Sequence, residues 1–107
     1  MRFAVAWALV LFFLAGPVLA DQPSVAIAIK GRAFVPSELE IPAGTKVKLV
    51  IRNQDEMPAE FESSQLHREK VVPGGGVIVL FVGPLAAGKY EFFNDFHPAS
   101  RGHLIAK

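Results

Sequence analysis

Apolar and polar residues alternate along most of the chain, in short runs separated by turns that contain proline and glycine. A period of two is typical of a β-strand with one face in the core. The pattern predicts about seven strands, at residues 24–30, 39–41, 45–53, 59–62, 77–82, 90–95 and 102–106. Their spacing predicts an all-β fold, an antiparallel Greek-key β-sandwich without a substantial helix.

Three segments depart from simple alternation. Residues 77–82 are apolar on both faces, which predicts a central strand. Residues 63–70 are polar around Leu66, so a short helical turn is expected there. The segment from Asn94 to Gly102 is expected to be a loop that holds a histidine before the last strand begins.

The N-terminus has the pattern of a secretory signal peptide. Arg2 supplies a positive start, residues 3–15 are an apolar run, and small residues lead to Ala20. The run is shorter than the roughly 20 residues that a membrane-spanning helix needs. We therefore expect a signal peptide at residues 1–20, with an uncleaved anchor as the alternative, and one exported domain at residues 21–107 that does not span a membrane.

Composition excludes several classes of function. The chain has 11 Lys and Arg against 10 Asp and Glu, without a basic stripe, which argues against nucleic-acid binding. It has no cysteine, which excludes disulfides, thiolate chemistry, iron–sulfur clusters and cysteine-ligated copper. A Gly-x-Ser-x-Gly elbow is absent, and the run from Gly74 to Gly76 lacks the Lys-Ser/Thr of a phosphate loop.

Potential metal ligands concentrate in two segments, residues 54–62 and 94–97. Imidazole suits copper, iron and zinc, a thioether favours Cu(I), and carboxylates favour harder ions such as iron. Simpler interpretations also exist: a solvated histidine, the polar face of a strand, or a methionine that fills the core. The candidate ligands are Met57, Glu60, Glu62, Asp95 and His97.

Strand alternation bears on whether these ligands can meet. If Phe61 faces the core, Ala59 faces inward as well, and Glu60 and Glu62 face the other side of the sheet. A bulge before Phe61 would shift this register by one residue. The sequence leaves both arrangements open.

Four motifs give the segment from residue 24 to residue 107 a family resemblance. They are Asn53 to Glu62, the run Glu69-Lys70-x-Val-Pro-Gly-Gly, Leu85-x-x-Gly-x-Tyr-x-Phe, and Phe96-His97-Pro98 followed by Gly102. With these motifs the chain resembles the cupredoxins, and within them the small periplasmic cupredoxin-like domains of the EfeO type.

The resemblance also shows which blue-copper ligands are missing. Aligning Tyr90-x-Phe92 with the family pattern puts Asn94 at the position of the cysteine and His97 at that of a histidine. The second histidine position falls on Ala59, and no methionine follows His97. A type 1 blue-copper site is therefore not expected.

The resemblance implies two alternative functions. In the first, His97 acts with Met57, Asp95 and the two glutamates to bind a copper or iron ion. The protein would then be a periplasmic accessory in ferrous-iron uptake, with a membrane iron permease or other metal-handling proteins as partners, and would assist metal oxidation at most rather than act as an enzyme. In the second, it is a metal-free module that binds a protein partner.

Overall fold

The computed structural model describes residues 22–107, so the predicted signal peptide lies outside the described residues. The described part contains nine strands and no helix, and therefore no helix long and apolar enough to cross a membrane. The strands are β1 Ser24–Lys30, β2 Ala33–Val35, β3 Glu38–Ile41, β4 Val47–Asn53, β5 Ala59–Ser63, β6 Arg68–Val72, β7 Val77–Val82, β8 Gly88–Asn94 and β9 His97–Ala106.

The strands form two sheets, which confirms the predicted all-β architecture. One sheet has the order β2-β1-β4-β7 and the other β3-β9-β8-β5-β6. Most neighbours are antiparallel, but β1 pairs with β4 and β3 pairs with β9 in parallel. These two pairs join strands that are distant in sequence, so local alternation did not reveal them.

The core lies between the two sheets and follows the period of two. Ile27, Leu49 and Ile51 come from the first sheet and are at most 1% exposed. Phe61 and Phe92 come from the second sheet, and their ring centroids lie 5.1 Å apart. These apolar side chains supply the main driving force for folding, since the chain has no disulfide.

Gly102 is needed for this packing. A Cβ atom added there would lie 2.5 Å from Cζ of Phe92 and 2.6 Å from the carbonyl oxygen of Ser37. The absence of a side chain lets β9 pass directly over the Phe92 ring. Any larger residue would have to displace the ring or the backbone.

The prediction that residues 77–82 form a central strand is wrong, because β7 is the edge of its sheet. Val77, Val79 and Phe81 are 44%, 40% and 39% exposed on its outer face. The ammonium group of Lys46 lies 5.1 Å from the Phe81 ring centroid. This surface is apolar but not buried. An apolar run alone does not distinguish a central strand from an edge strand with an exposed apolar face.

Two of the nine strands, β2 and β6, were not expected from the sequence. The helical turn expected within residues 63–70 is also absent: residues 64–67 form a turn that leads into β6. The Ser63 hydroxyl accepts the N–H of Leu66 at 3.1 Å and donates to the carbonyl of Glu91 at 2.6 Å. These two bonds close the turn and hold β5 against β8.

Candidate functional site

Asn53 fixes the loop that leads to the first group of candidate ligands. Its side chain is buried, and its Nδ2 donates to the carbonyls of Met57 at 2.8 Å and Val72 at 3.2 Å. Its Oδ1 accepts the backbone N–H of Asp55 at 2.9 Å. Asn53 thus has both a donor and an acceptor role in shaping residues 54–58.

The carboxylate of Asp55 binds the backbone of a neighbouring turn. Its carboxylate oxygens accept the backbone N–H groups of Gly31 at 2.8 Å and Arg32 at 2.7 Å. Both turn residues have positive φ angles, 59° and 67°, as a tight turn between β1 and β2 requires. Asp55 therefore stabilises the β1–β2 turn.

Asn94 has the corresponding role at the end of β8. It is 3% exposed, and its Oδ1 accepts the N–H of Glu60 at 2.9 Å and that of Phe96 at 3.0 Å. Both lone pairs of this oxygen are used in hydrogen bonds to the backbone. The residue at the cysteine position of the blue-copper pattern thus ties β5 to the β8–β9 turn.

The expected histidine loop is a hairpin with a bulge. Asn94 pairs with His97, whereas the preceding Phe93 pairs with Arg101, so β9 carries three additional residues between these pairs. The turn itself is only Asp95 and Phe96. His97 consequently lies at the start of β9, and the last strand begins before Gly102 rather than at it.

The bulge determines the environment of His97. Its Nδ1 atom lies 3.0 Å from Oγ of Ser100, within the bulge. The ring lines a cavity of about 110 Å³ together with Met57, Ala59 and Asn94. The structure therefore brings two predicted ligands, His97 and Met57, to the same cavity.

The other three predicted ligands form a separate group. One oxygen from each of Glu60, Glu62 and Asp95 lies within 4.8 Å of the others. Ala59 and Phe61 are 2% and 0% exposed, so alternation along β5 is regular. The two glutamates accordingly point away from the core, and the five predicted ligands are divided between two places.

The acidic group includes a residue that sequence analysis missed. Glu69 on β6 pairs directly with Glu62 on β5, and like charges at opposed positions destabilise a sheet. Burial and the carboxylates of Glu69 and Asp95 raise the pKa of Glu60. Burial and the carboxylates of Asp95 and Glu69 also raise the pKa of Glu62.

This group also differs from the other glutamates of its sheet. Glu38 and Glu40 lie 3.5 Å from Lys89 and 2.9 Å from Lys107, and Glu91 lies 3.0 Å from Arg101. Within residues 22–107, no basic side chain lies within 4.0 Å of a carboxylate of Glu60, Glu62, Glu69 or Asp95. Negative charge is thus concentrated at one place on the outer face.

Comparison with known sequences identifies a family match. A family model described as a cupredoxin-like domain matches residues 3–106. An uncharacterized protein of Rickettsia prowazekii (strain Madrid E) is 49% identical over 82 residues, or 76% of this chain and 66% of that protein. The aligned region spans just under two thirds of the relative's length.

Solved structures with the same fold include copper proteins. A purple cupredoxin from Nitrosopumilus maritimus has a TM-score of 0.61 at 24% identity, covering 77% of this chain and 98% of that one. The metal-binding domain of the Cu(I)-exporting P-type ATPase CopA of Streptococcus pneumoniae, solved with Cu(I), has a TM-score of 0.71 at 12% identity, covering 84% and 91%. Amicyanin from Paracoccus versutus has a TM-score of 0.60 at 22% identity, covering 87% and 88%. At these identities the likeness establishes the fold alone.

Proposed function

Because the chain belongs to the cupredoxin-like domain family, we propose that it is an exported metal-binding protein that handles iron or copper ions. Its fold neighbours include the metal-binding domain of a Cu(I)-exporting ATPase, which was solved with Cu(I). More specifically, we propose that it is an EfeO-type periplasmic accessory protein that serves a membrane iron-permease system. That role rests on the sequence resemblance and the site chemistry.

The observation that carries the proposal is the convergence of Glu60, Glu62 and Asp95. Three carboxylates within 4.8 Å offer an all-oxygen donor set. Ferric iron is a hard cation that prefers oxygen donors, and ferrous iron, a borderline cation, accepts them. A bound cation would offset the repulsion that raises the pKa values of both glutamates. The remaining coordination positions would be filled by water, because Asp95 is exposed and both glutamates are half-buried.

Copper is the second candidate ion, at the cavity lined by Met57 and His97. An imidazole and a thioether suit copper, and Cu(I) in particular. The residues do not fit a type 1 site: Ala59 has no ligand atom, the Asn94 oxygen is already doubly hydrogen-bonded, and cysteine is absent. Copper binding here would therefore differ from that of blue-copper electron carriers.

A calorimetric titration tests both ions. The purified protein is titrated with Fe(II) under anaerobic conditions, and we expect binding around micromolar dissociation constants. Glu62→Gln should weaken iron binding by about tenfold or more, by analogy with the loss of groups that support a metal site. Glu38→Gln is the matched control, because this exposed glutamate on the same sheet is already paired with Lys89.

A parallel titration with Cu(I) uses His97→Ala, with His67→Ala as its control. His67 lies in the turn before β6, away from the cavity. Loss of copper binding in the first variant alone supports the cavity site. If neither ion binds, or if each variant binds like its control, the metal proposal is refuted and the metal-free, partner-binding module becomes the better hypothesis.

Export is tested separately by fractionation of cells that express the full chain. We expect the protein in the periplasmic fraction, with a new N-terminus near Asp21. An intact N-terminus in the membrane fraction would instead support the uncleaved anchor.

A further inference from the structure

An open groove of about 540 Å³ lies next to His97. The β1–β2 turn and the bulge of β9 form its walls, through Arg32 on one side and Ser100 on the other. Its volume falls within the range of about 300–1,000 Å³ that small-molecule sites commonly have. The groove is distinct from the acidic group on the outer face, none of whose members line it.

The charge of the lining favours an anion. Arg32, Arg101 and His97 line the groove, and neither aspartate nor glutamate does. The guanidinium of Arg101 is engaged elsewhere, 3.0 Å from Glu91 and 4.8 Å from the Phe93 ring centroid. Arg32 is therefore the basic side chain available to a ligand.

The backbone of Arg32 is held in a tight turn, and its side chain is exposed. Its φ angle of 67° lies in the left-handed region, which costs a non-glycine residue about 1–2 kcal/mol. The Asp55 carboxylate stabilises this conformation through the N–H groups of Gly31 and Arg32. Within residues 22–107, the guanidinium makes no ion pair. Its five N–H donors match the geometry of a carboxylate or phosphate group.

Two further polar groups face the same groove. The hydroxyl of Ser100 and the ring of His97 lie 3.0 Å apart and both line it. A hydroxyl can donate to an anion, and so can an imidazole N–H, but the bond between these two groups uses one of the donors of a neutral His97–Ser100 pair. We propose that this groove binds a small multivalent oxyanion, one that carries carboxylate or phosphate groups, with Arg32 as the main contact and the remaining donor of the His97–Ser100 pair as a supporting contact. The inference goes beyond metal binding, although Arg32 and His97 also line the neighbouring cavity proposed for copper.

The test is an NMR titration of the metal-free protein in buffer treated with a chelating resin. Citrate and inorganic phosphate are added in separate experiments, with sodium chloride at matched ionic strength as the reference. We expect saturable shifts at the backbone amides of Gly31, Arg32 and Ser100, with a dissociation constant of about 1 mM or below. Saturation by either anion supports the groove, and the comparison shows whether carboxylate or phosphate is preferred.

Two variants that each remove one positive charge distinguish specific anion binding from a general change in electrostatic attraction. Arg32→Gln should weaken binding about tenfold, the scale for losing one charged hydrogen-bonding group. Arg52→Gln, on the exposed face of β4, should change it by less than about twofold. Arg32→Gly removes the side chain and relieves the backbone strain, so it should keep the fold and lose binding. Equal effects of Arg32→Gln and Arg52→Gln, unchanged binding in Arg32→Gly, or no saturation with either anion would overturn the proposal.

Discussion

Replacing Asn94 with alanine should destabilise the domain by removing the acceptor of two backbone hydrogen bonds. The N–H groups of Glu60 and Phe96 lie 2.9 Å and 3.0 Å from its Oδ1. An unsatisfied buried donor costs about 1–3 kcal/mol. The N–H of Phe96 can regain water more easily, because this residue lies in an exposed turn with its side chain 55% exposed. We therefore expect a total loss of about 2–4 kcal/mol.

Urea denaturation at neutral pH measures this loss directly. A loss of this size should lower the melting temperature by roughly 10–30 °C in a domain of this length. Gln54→Ala is the control, because this exposed amide should change stability by less than about 0.5 kcal/mol. Hydrogen exchange adds a local readout: the amide of Glu60 in β5 and that of Phe96 in the β8–β9 turn should lose more protection than the remaining amides of β5 and the amides of β9.

Two results would refute this account of Asn94. One is a loss below about 0.5 kcal/mol, the level of an ordinary surface substitution. The other is unchanged exchange at the Glu60 amide in the alanine variant. Either would mean that the β8–β9 turn is held by other contacts.

Three further predictions follow from the same geometry. Gly102→Ala places a Cβ 2.5 Å from Phe92 and should cost about 1–3 kcal/mol in thermal unfolding; an unchanged melting temperature would contradict the close packing. The raised pKa of Glu62 means that its ionisation destabilises the fold, so Glu62→Gln should stabilise the metal-free protein as pH rises above about 4.3 and have little effect below it. Melting curves between pH 4 and pH 8 test this, and a difference independent of pH would exclude it. Asp55→Ala removes two bonds to the β1–β2 turn and should cost about 1–3 kcal/mol in urea denaturation, whereas Glu56→Ala should cost less than about 0.5 kcal/mol.

Alternation predicted which side chains face the core, because the side-chain period of a strand is a local property. Ala59 and Phe61 both face inward, and Phe92 and Asn94 share the buried face of β8. The same rule placed Glu60 on the outer face, as one of the two arrangements considered. The absence of a bulge in β5 then decided between them.

Strand pairing could not be predicted in the same way, because it depends on contacts between distant residues. The pairing of β5 with β6 brings Glu69 opposite Glu62, and nothing in the local pattern around Glu69 indicates a strand partner. The edge position of β7 depends on sheet order, so its apolar outer face looked like a buried one. The bulge before Arg101 moved His97 from an expected loop into β9.

The β8–β9 turn separates two donor sets of different hardness. On its outer side, Asp95 joins Glu60 and Glu62 in an oxygen-rich group open to water. On its other side, His97 and the 62% exposed Met57 both line a cavity of about 110 Å³. Because Asn94 bonds to both β5 and the turn, it keeps this separation without acting as a ligand. If the proposed iron site is correct, an ion on the outer side would be accessible to solvent, because Asp95 is exposed and both glutamates are half-buried.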